Sequence, residues 1–344
     1  MEKIRLRVES GICEIYFGGG WESLLSRLCY PGNTFIITDS NVNSLYKDKF
    51  PDFPVLVVEA GEKSKSFQMT SELIVRLAGL GADRNSLLVG IGGGMVSDLT
   101  GLVASLFMRG IDCAFVSTTL LAQVDAGIGG KNGVNAGGIK NIAGTFRQPE
   151  FVICDPLFLS TLPLNEYRSG LGEVVKYGLI GNRDIFLRLE ERYVSGSSPE
   201  NDFCESVIPE CIKIKTAIVE MDEKEGGKRR LLNLGHTAGH AIEAATGLPH
   251  GVAVAHGIAF AALVSEEMGY LSYDERERIE KLLEQMDLLP PLDVAEGKIS
   301  GLVFLDKKRA MKDISFVFLK GIGEAVIEKV PLEVINGWLK KKGY

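Results

Sequence analysis

The chain has only four histidines in 344 residues, six cysteines without a single CxxC pair, and no long block of Lys or Arg. Each scarcity removes a class of protein. Cys13, Cys29, Cys113, Cys154, Cys204 and Cys211 fall singly within apolar stretches, which speaks against a disulfide framework and reads as reduced, buried thiols of a cytoplasmic protein. A net charge of -7 with no basic tract speaks against nucleic-acid or membrane-surface binding. The longest apolar stretch, Val252 to Val264, is broken by His256 and Gly257 and is too short to span a bilayer. The N-terminus alternates charged and apolar residues and has no signal-type apolar core. No internal repeat or low-complexity tract occurs. These exclusions leave small-molecule chemistry, with enough chain for two moderate cores.

The four histidines are concentrated as well as few: all lie between His236 and His256. Random placement would produce such a cluster with odds on the order of one in a thousand. His236 and His240 are four apart, so on a helix they project from one face, one turn apart, into one small site for a metal or an anion.

Up to about residue 155, β-rich runs alternate with amphipathic segments, the rhythm of an α/β domain. Strands are predicted over Ile4 to Tyr16, Thr34 to Thr38, Val55 to Val58, Ser86 to Gly90, Cys113 to Val116 and Phe151 to Cys154, with a helix over Phe67 to Leu80. A parallel sheet with helices on both faces follows, its ligand beyond the carboxyl ends of the strands. From Leu164 to Met286 the apolar positions recur at three and four, so this half is mainly helical. A hairpin is expected at Ile314 to Leu319 and Glu324 to Val330, then a helix over Leu332 to Lys341. The resulting division is an α/β nucleotide-binding domain at 1–158 and a mainly α-helical metal- and substrate-binding domain at 159–344.

The strand ending at Gly90 runs into Ile91-Gly-Gly-Gly-Met-Val-Ser-Asp98, where glycines let a ligand approach and a helix N-terminus offers amides to phosphate. A tight turn without a ligand would look the same in isolation. Asp39 and Asn41 after the second strand, Glu62 and Lys65 after the third, and Thr118 and Thr119 after the fifth add polar groups at that edge, where a dinucleotide would fit. The glycine-dense segment Gln123 to Asn135, with Lys140 and Asn141 beyond it, is expected to be a binding loop carrying Asp125 and Lys131, or more plainly a solvated connector. Glu173 and Lys176, three apart, read either as a site pair or as an ordinary exposed ion pair. Two histidines and one carboxylate satisfy a catalytic zinc site, and His236, His250 and Glu173 are the candidates, with His240 a satisfied core histidine or a bystander.

Taken in order, five segments resemble the 3-dehydroquinate synthases, a family of sugar-phosphate cyclases: Gly92-Gly-Gly-Met-Val-Ser-Asp98, Thr118-Thr-Leu-Leu-Ala-Gln-Val-Asp125, Gly129-Gly-Lys-Asn-Gly-Val-Asn135, Glu173-Val-Val-Lys-Tyr-Gly178 and Leu232-Asn-Leu-Gly-His-Thr-Ala-Gly-His-Ala-Ile-Glu243. The resemblance covers nearly the whole chain. It implies a homodimer using NAD and a divalent metal, zinc or cobalt. It implies metal ligation by Glu173, His236 and His250. It implies NAD contacts from Asp39, Asn41, Glu62, Lys65, Gly93, Gly94, Asp98, Thr118, Thr119, Asp125, Lys140 and Thr161. Substrate contacts fall to Lys131, Asn141, Lys176, Lys215, Arg229, Asn233, His240 and either Lys307 or Lys308. Arg109 would reach a neighbouring subunit's site. The implied reaction is conversion of 3-deoxy-D-arabino-heptulosonate 7-phosphate to 3-dehydroquinate in the shikimate pathway, by transient oxidation, phosphate elimination, reduction and aldol closure, so that NAD is a catalyst.

The chain departs from the family pattern in three places. Asn132 stands where the family has Thr, Ser117 where it has Pro, and the His240-to-His250 segment is shorter and ends His-Gly-Val252 rather than His-Gly-Glu. The last departure leaves His256 as an alternative third ligand. Competing readings are a sibling cyclase of the 2-epi-5-epi-valiolone or 2-deoxy-scyllo-inosose type, acting on a heptulose 7-phosphate or glucose 6-phosphate, and a metal-dependent polyol dehydrogenase that releases NADH.

Overall fold

A computed structural model describes residues 1–30, 32–194, 201–295, 297–308 and 313–343, without the side chains of 194, 201, 202 and 304–308. The expected Lys307 and Lys308 side chains therefore lie outside the described residues. In chain order the elements are β1 (Glu2–Val8), β2 (Gly11–Phe17), α1 (Trp21–Leu28), β3 (Thr34–Asp39), α2 (Ser40–Tyr46), β4 (Val55–Val58), α3 (Phe67–Gly79), β5 (Leu87–Gly92), α4 (Gly94–Leu106), β6 (Asp112–Ser117), β7 (Lys131–Ala136), β8 (Ile139–Phe146) and β9 (Phe151–Cys154). There follow α5 (Leu164–Ile180), α6 (Arg183–Val194), α7 (Asn201–Met221), α8 (His236–Thr246), α9 (His250–Glu267), α10 (Tyr273–Gln285), α11 (Lys298–Lys308), β10 (Asp313–Gly321), β11 (Glu324–Pro331) and α12 (Leu332–Lys341). Two compact units result, Met1–Leu162 with Asn201–Glu223, and Pro163–Glu200 with Lys224–Tyr344.

The first unit holds a seven-stranded sheet in the order β1-β2-β9-β6-β5-β3-β4. Every pairing from β2 to β4 is parallel. The inner strands β3 and β5 are buried along their whole length, as continuous apolar runs require when both faces are covered. From β3 the chain moves outward to β4 and returns on the other side of β3 as β5, which makes the β3/β5 junction a topological switch point. Thr38 on β3 donates from its hydroxyl to the Ile91 carbonyl of β5, 2.8 Å away. The helix α7, although far along the chain, belongs to this unit and packs on β1.

Two expectations for this unit are corrected. The run Ile4 to Tyr16 is two antiparallel strands, because Glu9 and Ser10 turn the chain and Gly11 takes φ 149°. The supposed binding loop is ordered structure: a π-helical turn over Ala122–Ala126, then the antiparallel hairpin of β7 and β8. Gly127, Gly130, Gly133 and Gly144 serve close approach, while Gly137 and Gly138 turn the hairpin at positive φ. A Cβ on Gly144 would sit 2.1 Å from the Asn132 carbonyl oxygen, so at this position only glycine lets the strands meet.

The second unit is helical apart from the β10–β11 hairpin, which appears where it is expected. Among the described residues no helix is long and apolar enough to cross a membrane. Helix α9 is buried on nearly every side, with His250 and the half-buried Ala259 and Leu263 among the exceptions.

Candidate functional site

In the second unit, Glu173 on α5, His236 at the first position of α8 and His250 at the first position of α9 converge. One ligand atom from each lies within 4.8 Å of the others, the sole such trio among the described residues. Glu173 Oε1 is 3.7 Å from His236 Nε2 and 3.5 Å from His250 Nε2. Three close helix contacts bring the trio together, and each uses a glycine adjacent to a ligand. Gly172 precedes Glu173 and Gly251 follows His250; a Cβ on Gly172 would lie 2.2 Å from the Gly251 carbonyl oxygen, and one on Gly251 1.7 Å from that of Ser169. Gly235 precedes His236 with φ +78°, and a Cβ on Gly257 would meet its carbonyl oxygen at 1.8 Å. The backbones of α5 and α9 are therefore in direct contact beside the ligands, and the Gly251 amide donates to Ser169 Oγ at 3.0 Å.

Glu173 and Lys176 are 0% and 1% exposed, so the pair is a buried ion pair rather than a solvated one. Removing water from a carboxylate costs several kcal/mol unless other charges replace it, here Lys176 and whatever the two imidazoles hold. Burial drives the His236 pKa down to about 3 against the pull of Glu173, which keeps this ring neutral. Burial opposes charge on His250 too, but hydrogen bonds with Glu173 and Glu243 outweigh it and push the pKa up to about 9. The His236 Nδ1 faces the Leu234 carbonyl at 3.0 Å and the His250 Nδ1 faces Glu243 Oε2 at 3.1 Å. A carbonyl and a carboxylate only accept, so both Nδ1 atoms carry hydrogen; the neutral His236 keeps a lone pair on Nε2 facing Glu173, and His250 Nε2 offers one to a metal once it gives up the proton it shares with Glu173. An oxygen and two nitrogens at this spacing fit a divalent metal with positions left open for substrate.

His240 is exposed, its ring centroid 5.1 Å from that of His236 and 5.9 Å from that of His250. His256 lies apart from the trio, buried in α9, where burial lowers its pKa against a hydrogen bond with the Pro290 carbonyl. Arg229 is 1% exposed, and Asn233 Nδ2 donates to Glu225 Oε1. Sequence reasoning gave Glu243 no role; its spacing of seven from His236, on the same helix face, is the signal that could have found it.

In the first unit the polar residues gather at the carboxyl ends of the parallel strands. Lys65 Nζ, 5% exposed as a residue, contacts Asp98 Oδ2 and Asn141 Oδ1, each at 2.5 Å. Burial raises the Asp98 pKa and Lys65 opposes the rise. Glu62 Oε1 accepts from Asn135 Nδ2 at 2.8 Å, and Asn135 Oδ1 accepts the Asn141 amide at 2.8 Å, so the hairpin of β7 and β8 is tied to the segment before α3. Lys215 Nζ pairs with the Asp125 carboxylate and donates to its carbonyl at 2.6 Å. Asp39 caps α2, one oxygen accepting the Asn41 and Val42 amides at 2.9 and 3.0 Å. Thr119 Oγ1 accepts the Ala122 amide at 3.1 Å, Thr118 is buried, and Thr161 Oγ1 lies 2.6 Å from the Tyr46 hydroxyl. A Cβ on Gly93 would come within 3.0 Å of Thr119 and one on Gly94 within 2.9 Å of Ala126, so packing leaves little room for a side chain at either position. Asn41, Lys131 and Lys140 are exposed. Arg109, also exposed, follows Met108 in a turn where both take positive φ, 71° and 47°.

The model of the 3-dehydroquinate synthase N-terminal part matches residues 55–169, and that of its C-terminal part matches residues 170–309. A curated 3-dehydroquinate synthase from Acidithiobacillus ferrooxidans is 44% identical over 324 residues, 90% of this chain and 88% of that protein. A solved 2-deoxy-scyllo-inosose synthase, complexed with carbaglucose-6-phosphate, NAD+ and Co2+, is similar with a TM-score of 0.86 and 26% identity over 99% of both chains. A solved 2-epi-5-epi-valiolone synthase from Streptomyces hygroscopicus subsp. jinggangensis, with NAD+ and Zn2+ bound, gives 0.85 and 25% over 96% of both.

Proposed function

Since the chain belongs to the 3-dehydroquinate synthase family, we propose that it converts 3-deoxy-D-arabino-heptulosonate 7-phosphate to 3-dehydroquinate and phosphate, as a carbon–oxygen lyase dependent on NAD and a divalent metal, zinc or cobalt. The observation that carries this reading is the convergence of buried Glu173 with His236 and His250 beside the buried ammonium of Lys176.

Glu173, His236 and His250 hold the metal. When bound, the metal supplies Lewis acidity to substrate hydroxyls and NAD accepts and returns hydride. The chain's own residues bind, orient and move protons. Lys176 fixes the Glu173 carboxylate through their ion pair and carries positive charge to the place where a hydroxyl loses its proton. His240, exposed on the same helix as His236, is placed to exchange protons with solvent. Arg229, Lys131, Lys215, Asn141, Asn233 and one of Lys307 and Lys308 match the phosphate and carboxylate of the substrate on the family pattern, and Arg has the fork geometry that suits either anion.

NAD is assigned to the first unit, whose strands and most of whose NAD-contacting residues fall within the proposed domain 1–158, and the metal to the second unit. The β3/β5 switch point, the α4 N-terminus at Gly93 and Gly94, and the polar group of Asp39, Asn41, Glu62, Lys65, Asp98, Thr118, Thr119, Asp125, Lys140 and Thr161 support that assignment. A cytoplasmic homodimer with Arg109 acting on the neighbouring site completes the proposal. The exposure of Arg109 in a left-handed turn, next to the exposed apolar Leu106 and Met108, supports it.

The deciding assay measures phosphate release from the heptulosonate phosphate with NAD, with and without added metal. Metal-dependent release without matching NADH is expected. Stoichiometric NADH would establish the dehydrogenase reading instead, and release from glucose 6-phosphate or a heptulose 7-phosphate in preference would establish a sibling cyclase.

A further inference from the structure

We infer that Glu243 is a positioning residue of the metal centre, a part-buried carboxylate that holds the His250 imidazole by its Nδ1 hydrogen so that Nε2 faces Glu173. This inference rests on the metal-centre reading given above. The two imidazoles of the trio are supported differently. His236 Nδ1 is held by the Leu234 carbonyl, which is neutral and fixed by the backbone two residues away. His250 Nδ1 is held by a carboxylate from another helix, Glu243 of α8, 3.1 Å away and 12% exposed.

Three consequences follow from the placement. A carboxylate acceptor increases electron density on the opposite ring nitrogen, so His250 is the stronger donor of the two imidazoles. Its partner comes from α8, the helix that begins with His236, and stands seven residues on, about two turns along the same face. One helix thus supplies one ligand and orients the other. The contact also bridges the break between α8 and α9, where Gly247 ends α8 in the left-handed conformation and only Leu248 and Pro249 precede His250. His250 sits at the first position of α9, where a side chain lacks the preceding turn of helix to restrict it, and Glu243 supplies the restraint.

The test is Zn2+ binding to chelator-stripped protein, measured in competition with a metallochromic dye at fixed pH, for the parent chain and for Glu243→Gln, Glu243→Ala and Glu173→Ala. Glu243→Gln keeps the shape and removes the charge, so its melting temperature is expected to stay at the parent value. Both Glu243 variants are expected to bind Zn2+ about 10–100-fold more weakly. The visible absorption of the Co2+-loaded Glu243→Gln protein should shift as well, a change that a purely structural role would not produce. A Zn2+ Kd for Glu243→Gln within twofold of the parent, with an unchanged Co2+ spectrum, overturns the inference while leaving the metal centre intact. If Glu173→Ala binds Zn2+ as tightly as the parent, the metal centre itself is wrong and the inference falls with it.

Discussion

Substituting Gly251 by Ala tests the idea that helix contact, rather than the ligand side chains alone, builds the metal centre. The new Cβ would start 1.7 Å from the Ser169 carbonyl oxygen and 2.6 Å from its carbon, both backbone atoms that cannot rotate away. An ordinary carbon–oxygen contact needs roughly twice that separation, so α5 and α9 must part by about 1.5 Å. Overpacking of this kind costs about 1–3 kcal/mol, and a rigid backbone neighbour puts the expected loss near ~3 kcal/mol. For 344 residues unfolding together that is a fall in Tm of about 4 °C. The same shift moves His250 relative to Glu173, now 3.5 Å apart, by far more than the ~0.2 Å that metal coordination tolerates. Zn2+ affinity should therefore fall by at least about 100-fold, an effect comparable in free energy to the loss of stability. Calorimetry and dye competition on the same samples give both numbers, with Gly337→Ala as the control, since a Cβ there meets nothing within 4 Å in α12. A Gly251→Ala protein that melts within a degree of the parent and binds Zn2+ within twofold would refute the reasoning.

Three further outcomes are expected. His250→Ala should lose bound metal and phosphate release together while His256→Ala keeps both; metal analysis of the purified variants checks the assignment, and the reverse pattern would transfer it to His256. In the metal-free protein His250 keeps its proton up to about pH 9, whereas neutral His236 offers no competing proton above about pH 3, so Zn2+ affinity should rise with pH about tenfold per unit below 9. Calorimetric titration in buffers of different ionisation enthalpy should find about one proton released per metal at pH 7.5, and none released would contradict the His250 charge state. Mixing inactive Arg109→Ala and Lys176→Ala chains should restore part of the activity, because one site of each heterodimer keeps both residues; verified heterodimers with no activity would rule out sharing of Arg109.

The parallel strands were legible because buried inner strands such as Thr34–Asp39 and Leu87–Gly92 are short, largely apolar runs ending in turn residues. The trio of Glu173, His236 and His250 was legible through residue type and clustering. Lys176 and Glu173 were harder: at that spacing an exposed ion pair looks the same, and α5 is buried from Leu171 to Ile180, so no polar stripe betrays which side faces what. The glycines between 127 and 144 misled because composition does not separate a glycine that permits motion from one that permits contact. Glu243 was harder still: its spacing from His236 puts it on the ligand face of α8, but its partner is a ring seven residues ahead, across a helix break, which that spacing alone does not name.

The placement of α7 in the first unit sets a timetable for synthesis. The last strand of the sheet, β9, is complete at Cys154, and the first stretch of this unit ends at Leu162. Its missing helix emerges only after residues 163–200 of the other unit have passed, and ends near Glu223. At ~5–20 residues per second the nascent sheet spends about 3–12 s without the helix that covers β1 and places Lys215 against Asp125. Neither unit can close in the order in which it leaves the ribosome: a chain halted between 162 and 200 lacks the helix that packs on β1, and cutting the gene at the end of the α/β region would leave the first unit without one of its own elements.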